Sequence, residues 1–263
     1  MKLSPHGNIA IITGSADGIG EAVALLLARN KFKVAIVDLD KNKAETAAIR
    51  LREETGANVI AVAADVSDQI SSERAYKTIL KDFGEPTVLV NNAGIMPQSI
   101  SQIETQKITD FEKMIAIHVH GTFIWSQMAV KSMRLKKFGR IINVSSVLGL
   151  LAIPYRLGYS TAKTAIIGFT RSLAVETARF GITVNAVAPG YVLTKTLKKR
   201  IEGGLLDHNI IADKTPIGRW AQPDEVASLI LFLVGDKAGY ITGTTIPIDG
   251  GFHIRGDIGD NIN

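Results

Sequence analysis

The chain has 263 residues, of which 46% are hydrophobic and 21% charged, enough for a full core in an ordinary globular protein. The net charge is +5, but Lys and Arg are scattered apart from the cluster "KTLKKR" at residues 195–200, so nucleic acid is not an expected partner. The absence of cysteine excludes disulfides, thiolate catalysis and cysteine metal sites.

Short apolar runs alternate with longer amphipathic stretches. Strands are predicted at residues 8–13, 33–38, 58–65, 87–92, 140–146 and 182–189, with a last one in "TTIPIDGG". Helices are predicted at 19–30, 41–54, 71–83, 109–137 and 159–180 and after Pro223. The pattern predicts an α/β fold: one domain spanning 1–263, with a doubly wound parallel sheet of about seven strands flanked by helices. Residues 191–222 lack clear periodicity and are a candidate active-site lid.

The first predicted strand runs into "TGSADGIG", residues 13–20, and then into a helix. Gly14 permits a tight turn, Gly18 lets the backbone approach a pyrophosphate, and Gly20 allows close packing of helix on strand. The phosphates would lie at the helix N-terminus, beside Asp17 and Ile19. A purely structural turn can look the same, but the position between the first strand and a helix favours dinucleotide binding.

Asp38 ends the second predicted strand, eighteen residues after Gly20. A carboxylate there suits the free 2′-hydroxyl of NAD and repels the 2′-phosphate of NADP. Asp17 adds negative charge, and Leu39 offers no basic alternative. A solvated strand-end carboxylate is the competing interpretation, and NAD is the predicted cofactor.

Further motifs follow in order: "NNAG" at residues 91–94, then "NVSS", "YSTAK", "VAPGYVLT" and "ITGTTIPIDGG". Together with the glycine pattern TGxxxGxG, they resemble the short-chain dehydrogenase/reductase family over residues 8 to 251. The resemblance implies a Rossmann fold and a nicotinamide-dependent oxidoreductase. It also implies that Ser146, thirteen residues before Tyr159, is the catalytic serine, and that Lys163 holds the nicotinamide ribose.

Tyr159 and Lys163 lie four residues apart, on one face of a helix. A nearby ammonium stabilises phenolate and lowers a pKa that starts near ~10, so Tyr159 is a candidate general acid/base. The Ser146 hydroxyl would stabilise charge on the substrate oxygen, whereas Ser145 points to the other side of the strand. A lone YxxxK is common on solvated helices, and its place among the ordered motifs gives it weight.

The remaining cofactor contacts follow from the resemblance. It implies that Asp65 binds the adenine and that Asn91 stabilises the central strands, while Asp249 is interpreted as structural. A nicotinamide-binding segment is implied at Pro189, Gly190, Val192 and Thr194. Other predicted cofactor-binding residues are Val66, Asn92, Ala93 and Gly94.

"MIAIHVHGTFIWSQ", residues 114–127, carries two histidines two residues apart. Such residues point ~200° apart on a helix, so His118 and His120 cannot clamp one ion, and no metal is predicted. The resemblance places His118 where the family has an asparagine that holds a water in a proton relay. Imidazole can hold a water and titrate near neutral pH, so His118 is predicted to join the relay. The alternative is a broken relay in a degenerate member, and His120 is interpreted as packed or interfacial.

The predicted reaction interconverts a secondary alcohol (a small polyol, cyclic alcohol or hydroxy acid) and its ketone. An apolar-leaning pocket is predicted from Met96, Leu148 and Tyr155, with Leu150 and Pro154; a purely structural role is the alternative for Tyr155. The cluster at 195–200, with Arg156 and His208, either selects a carboxylate or sulfonate or forms a solvated helix face. Three alternatives remain: a 3-oxoacyl-type ketoreductase, against which Asp38 counts, a non-catalytic NAD-binding regulator and a structural subunit.

The N-terminal sequence lacks the apolar core of a signal peptide, and no apolar run reaches the ~20 residues that span a bilayer. A cytoplasmic protein without a membrane partner is therefore expected. The family is often tetrameric, so a homo-oligomer (tetramer or dimer) is expected. The apolar helix after Pro223 could serve that interface or the core. The tail at 252–263 could reach a neighbouring subunit or be disordered.

Overall fold

A computed structural model of the chain describes residues 8–97 and 102–255. It contains one parallel sheet in the order β3-β2-β1-β4-β5-β6-β7. Its strands are β1 Ile9–Thr13, β2 Lys33–Asp38, β3 Val59–Ala63, β4 Val88–Asn91, β5 Gly139–Val144, β6 Ile182–Pro189 and β7 Thr245–Ile248. This confirms the predicted Rossmann fold, with each strand within or close to its predicted bounds.

Helices cover both faces of this sheet. The described α-helices are α1 Gly18–Arg29, α2 Lys41–Thr55, α3 Gln69–Phe83, α4 Ile108–Ile115, α5 Gly121–Lys136, α6 Leu157–Thr177, α7 Lys195–Glu202, α8 His208–Lys214 and α9 Pro223–Val234. The predicted helix 109–137 is continuous but contains a π turn, Ala116–His120, between α4 and α5. The lid candidate 191–222 contains two short helices, α7 and α8, that its sequence pattern did not show.

Two apolar layers form the core, one on each face of the sheet, because successive strand residues point to opposite sides. Ile12 lies in the layer beneath α1, α2 and α9. Ile11 lies in the layer beneath α3 and α5, where Trp125 is fully buried. The buried face of α9 packs on α1, so this helix belongs to the core.

The strand order reverses between β1 and β4, and a crevice opens outside the carboxyl ends of the strands at such a point. The loop at Gly14 follows β1, and the segment from Asn92 to Gly94 follows β4. The predicted cofactor and catalytic residues therefore meet at one edge of the sheet. Within 8–97 and 102–255, no helix has the length and apolar character needed to cross a membrane. Residues 256–263 of the tail lie outside the described residues.

Candidate active site

A cleft of about 680 Å³ opens at this edge, within the range of small-molecule sites. Most of the predicted residues that line it lie at or just after the end of a strand, at the start of α1, on α6 or in the π turn. The predicted lining residues are Gly14, Asp17, Gly18, Ile19, Asp38, Asp65, Val66, Asn92, Ala93, Gly94, Met96, His118, Ser146, Leu148, Tyr159, Lys163, Pro189, Gly190, Val192 and Thr194. Gly20 and Tyr155 do not line this cleft.

The glycine loop is shaped by close backbone approach. Gly14 and Gly18 have φ values of +60° and +62°, which side chains disfavour. A Cβ on Gly14 would lie 2.6 Å from the Cα of Ala93, so the β1 and β4 loops touch here. A Cβ on Gly20 would lie 2.5 Å from the Gly14 carbonyl oxygen, which fits the packing role predicted for Gly20.

Asp38 lines the dinucleotide end of the cleft. Its carboxylate accepts hydrogen bonds from the backbone N–H of Ala16 at 3.0 Å and of Asp40 at 3.2 Å. Lys43 also lines the cleft, but its ammonium lies 3.5 Å from the Asp40 carboxylate. A glycine-rich loop beside a strand-end carboxylate fits a nicotinamide dinucleotide.

Two further residues shape this end. The Asp65 carboxylate accepts from the backbone N–H and hydroxyl of Ser67, at 2.9 and 2.6 Å, which fixes the loop after β3. The Asn91 amide donates to the side chains of Asn143 at 2.8 Å and Ser126 at 3.0 Å, tying β4 to β5 and α5. Asn91 is therefore placed to stabilise the central strands, as the sequence resemblance implied.

The candidate catalytic residues meet at the other end of the cleft. Ser146 follows β5, and Tyr159 and Lys163 lie one turn apart on α6. The Lys163 ammonium donates to the carbonyl oxygen of Val144 at 2.8 Å and lies 5.6 Å from the centre of the Tyr159 ring. The neighbouring Ser145 hydroxyl donates to the Lys163 carbonyl oxygen at 2.8 Å, a structural role in line with the sequence interpretation.

Burial dominates the electrostatics of this group. It raises the pKa of Tyr159 to about 12, and a hydrogen bond with Ser146 acts in the opposite direction. Burial also lowers the pKa of Lys163 to about 7. The pKa of Tyr159 is thus raised, where the sequence led us to expect a lowered value, because desolvation of the phenolate outweighs the hydrogen bond from Ser146. At neutral pH, the Tyr159 phenol is protonated.

His118 lies in the π turn, with its side chain 3% exposed. Its Nε2 lies 3.2 Å from the N–H nitrogen and 3.0 Å from the carbonyl oxygen of Ile95, so one tautomer donates and the other accepts. Its ring meets that of Tyr159 edge to face, with centroids 5.5 Å apart. Its Nδ1 is buried without a hydrogen-bond partner among the described residues.

The neutrality of His118 corrects a second expectation. Burial, and then the charge of Lys163, lowers the pKa of His118 to about 3, so it does not titrate near neutral pH. His120 is exposed and lies outside the cleft. No group of three His, Cys, Asp or Glu residues that could hold a metal ion occurs in the described ranges.

The predicted substrate residues divide between two cavities. Met96 and Leu148 line the main cleft. Tyr155 instead lines a smaller neighbouring cavity of about 50 Å³, which it shares with Arg156 and Tyr159. Tyr155 is 50% exposed and has a φ of +63°, a strained value for a residue with a side chain. Two other predicted residues line neither cavity: Leu150 and Pro154.

The cationic segment is mostly a solvated helix face. Three of its lysines are exposed and lie outside the cleft: Lys195, Lys198 and Lys199. Arg200 lines the cleft, and its guanidinium donates to the Pro97 carbonyl oxygen at 2.6 Å. His208 stacks on Trp220, with centroids 5.5 Å apart, and is not a lining residue.

Sequence reasoning missed several lining residues: Ile95, Ile117, Tyr191, Thr196, Leu197 and Leu206. Tyr191 stands within "VAPGYVLT", so that motif could have identified it. Asp249 has the structural role predicted for it. Asp249 is 8% exposed. Its carboxylate forms a hydrogen bond with the ring Nδ1 of His253 at 2.6 Å and accepts hydrogen bonds from two backbone N–H groups.

Known proteins share these features along nearly the whole chain. A family described as enoyl-(acyl carrier protein) reductase matches residues 14–253. The 3-oxoacyl-[acyl-carrier-protein] reductase of Synechocystis sp. is 38% identical over 244 residues, covering 92% of this chain and 96% of that protein. A reductase of the same name from Thermotoga maritima is 35% identical, covering 95% and 99%. This chain belongs to the short-chain dehydrogenase/reductase family.

Solved structures of this family share the fold. ElxO with NADP bound has a TM-score of 0.89 and 36% identity, covering 95% of this chain and all of that chain. Levodione reductase has a TM-score of 0.90 and 30% identity, covering 95% and 98%. As a short-chain dehydrogenase/reductase, the protein is an oxidoreductase with a fold that binds a nicotinamide cofactor.

Proposed function

We propose that this protein is an NAD-dependent oxidoreductase that interconverts a secondary alcohol and its ketone. The observation that carries the proposal is the convergence of Ser146, Tyr159 and Lys163 at one end of a cleft that has Asp38 at its other end. The substrate is a small molecule, since the lining near Tyr159 is concave and includes the apolar Met96.

A bound nicotinamide would supply or accept the hydride at the reacting carbon, while the residues of this chain control the oxygen and its proton. In ketone reduction, the protonated Tyr159 phenol donates its proton to the carbonyl oxygen. The Ser146 hydroxyl donates a hydrogen bond to the same oxygen as negative charge develops there. In alcohol oxidation, the phenol must first lose its proton, and the Lys163 ammonium nearby favours that loss.

NAD preference rests on the carboxylate of Asp38 at the end of β2. The NADP bound to ElxO supports the opposite preference. Lys43, the cation at this end, is already paired with Asp40. The dinucleotide contacts that we propose come from the loops after β1, β3, β4 and β6: Gly14, Asp17, Gly18, Ile19, Asp65, Val66, Asn92, Ala93, Gly94, Pro189, Gly190, Val192 and Thr194.

His118 is proposed as a positioning residue rather than as a titrating member of a relay. Its ring is fixed by the backbone of Ile95 and packs against the ring of Tyr159. It thereby orients the phenol and the segment after β4 while remaining uncharged.

A second candidate is reduction of 3-oxoacyl thioesters. It is favoured by the relatives named 3-oxoacyl-[acyl-carrier-protein] reductase, at 33–38% identity. A third, a non-catalytic NAD-binding regulator, would retain nucleotide affinity without turnover.

Absorbance at 340 nm separates these candidates. Purified protein is assayed with NAD and NADP side by side on secondary alcohols, polyols and hydroxy acids, and with NADH and NADPH on a 3-oxoacyl thioester. We expect turnover with NAD on at least one alcohol, and loss of that turnover but not of NADH binding in Tyr159→Phe. Turnover restricted to the thioester with NADPH would favour the second candidate. Tight NADH binding with no turnover on any compound would favour the regulator.

A further inference from the structure

Apart from Lys43, which is paired with Asp40, the charged side chains that line the cleft separate by sign across the sheet. The carboxylates all follow β1, β2 or β3: Asp17, Asp38 and Asp65. Beyond the reversal of strand order, the charged lining residues are all basic: Arg156, Lys163 and Arg200. No carboxylate from the described residues lines this substrate half of the cleft. A cleft lined by one sign of charge raises the local concentration of the opposite charge.

Arg156 is the basic residue of this half that lines both cavities and lies close to Tyr159 in the chain. It precedes α6 by one residue and Tyr159 by three, and it lines both the main cleft and the smaller cavity. The one described hydrogen bond of its side chain runs from Nη1 to the Tyr155 carbonyl oxygen, at 3.3 Å. Asp110 lines the smaller cavity too, but Arg156 forms no ion pair with it or with any other described carboxylate.

The other two cations are held by shorter hydrogen bonds, at 2.8 and 2.6 Å, than the 3.3 Å bond of Arg156. The Lys163 ammonium donates to the Val144 carbonyl oxygen. Arg200 donates to the Pro97 carbonyl oxygen and thereby ties α7 to the segment after β4. A guanidinium has five N–H donors in a planar fork, so Arg156 retains most of its capacity for a ligand.

We propose that the substrate is a small hydroxy acid or the matching oxo acid, and that Arg156 binds its carboxylate. The inference rests on the proposed function and names the substrate class of that same site. A carboxylate matches the planar fork with two parallel hydrogen bonds, whereas a neutral alcohol leaves the guanidinium partly unpaired. Because Arg156 lies one turn before Tyr159, it sets the carboxylate close to the reacting oxygen. The carboxylate is unchanged by the reaction, in which the carbinol loses a hydride and a proton.

Matched pairs of compounds test this assignment. We would measure kcat/KM with NAD for 2-hydroxybutyrate, 3-hydroxybutyrate and 4-hydroxypentanoate, and for the methyl ester of each. The wild-type protein is expected to prefer at least one acid over its ester by about 10-fold or more, the strength of a charge-assisted hydrogen bond. Arg156→Gln is expected to lose this preference for the acid over the ester while still oxidising the ester. Arg156→Lys should retain part of it, since the charge remains without the fork.

Lys198→Gln is the matched control, because it removes a positive charge from the same edge of the protein but outside the cleft. It is expected to leave the ratio unchanged. The ratio of acid to ester also separates substrate recognition from a structural effect on Tyr159, which would slow both compounds equally.

Equal or better turnover of the esters by the wild-type protein would overturn the carboxylate assignment and leave the proposed function intact. Retention of the acid preference in both Arg156→Gln and Arg156→Lys would overturn the role of Arg156. Reduction of a neutral 3-oxoacyl thioester in preference to every acid would overturn the assignment in favour of the second candidate. Failure of the wild-type protein to turn over any compound would contradict the proposed function itself.

Discussion

At position 94, a side chain would collide with the His118 ring, whose Cε1 atom would lie only 2.3 Å from the added Cβ. Gly94 is not in the left-handed region, so alanine is compatible with its backbone and the cost is the collision alone. We expect Gly94→Ala to lower the free energy of unfolding by about 1–3 kcal/mol, the usual cost of overpacking. Denaturant unfolding of the variant and the wild-type protein measures this difference in the free energy of unfolding.

His118→Ala provides the control, because it removes the ring that the new methyl group would meet. In that background, Gly94→Ala should cost at least about 1 kcal/mol less than in the wild-type protein, a coupling typical of residues in contact. Equal costs in both backgrounds would show that the two residues do not constrain each other.

The buried imidazole of His118 also makes stability depend on pH. Burial lowers its pKa from 6.5 to about 3, so between these values the unfolded chain binds a proton that the folded chain does not. The resulting loss of folding stability is absent above pH 6.5 and grows as the pH falls toward 3. We expect Tm to fall less steeply from pH 6.5 to 4 in His118→Asn than in the wild-type protein, as measured by differential scanning calorimetry.

His120→Asn is the matched control, since His120 is exposed two residues away, and its curve should parallel that of the wild-type protein. Parallel curves for His118→Asn and the wild-type protein would contradict a buried neutral imidazole. Between pH 6 and 8, we expect the activity profile of His118→Asn to keep the wild-type shape, because His118 does not titrate there.

Ser146, Tyr159 and Lys163 could be identified from sequence, because motif spacing fixes which residues meet at the ends of parallel strands. Their pKa shifts could not, since burial depends on side chains from distant elements. The contact between His118 and Ile95 joins residues 23 positions apart, and no periodicity shows it. Sequence therefore predicts which groups are present, and packing decides their protonation.

At the scale of elements, the strands were the most predictable, because they are apolar on both faces. Helix α7 has no buried residue, and α8 buries only Ile211, so residues 191–222 carry no periodic apolar signal. The π turn Ala116–His120 also escapes sequence periodicity, because it adds one residue to a helical turn. The hydroxyl of Thr122 on α5 donates to the carbonyl oxygen of His118 in this turn at 2.7 Å.

Helix α9 offers a test of how one helix start supports the core. The Glu225 carboxylate accepts two hydrogen bonds from Arg219 and one from the backbone N–H of Gln222, all at 2.8 Å. Loss of this exposed cap should cost about 1 kcal/mol, or about 2–4 °C in Tm for a domain of this size. Glu225→Gln is therefore expected to lower Tm by that amount at pH 7 in thermal unfolding.

The same variant has a defined pH dependence. The hydrogen bonds from Arg219 and Gln222 lower the pKa of Glu225 from 4.5 to about 2, so its stabilisation is present above pH 4.5 and lost as the pH falls toward 2. Glu176→Gln is the control, because Glu176 is more exposed than Glu225 and lies at a longer distance, 3.5 Å, from its partner Arg134. A Tm deficit in Glu176→Gln equal to that in Glu225→Gln would show that the helix start contributes nothing specific.

At the scale of the whole molecule, the sheet divides the cleft by charge. Carboxylates follow the strands on one side of the reversal, and arginines follow those on the other. The dinucleotide end and the substrate end thus differ in potential as well as in shape, a property of topology that no single motif shows.

The outer surface of α5 and α6 bears on the expected homo-oligomer. Phe123 on α5 is 52% exposed and meets Phe169 on α6 edge to face, with centroids 6.5 Å apart. Exposed apolar side chains grouped in this way are typical of association surfaces.

We expect light scattering after size exclusion to give a dimer or tetramer of the 28.3 kDa chain, and Phe123→Glu to give a smaller species. Ile70→Glu, which changes a 62% exposed residue on α3, should keep the wild-type mass. A monomeric wild-type protein, or equal dissociation in both variants, would contradict an interface at this surface.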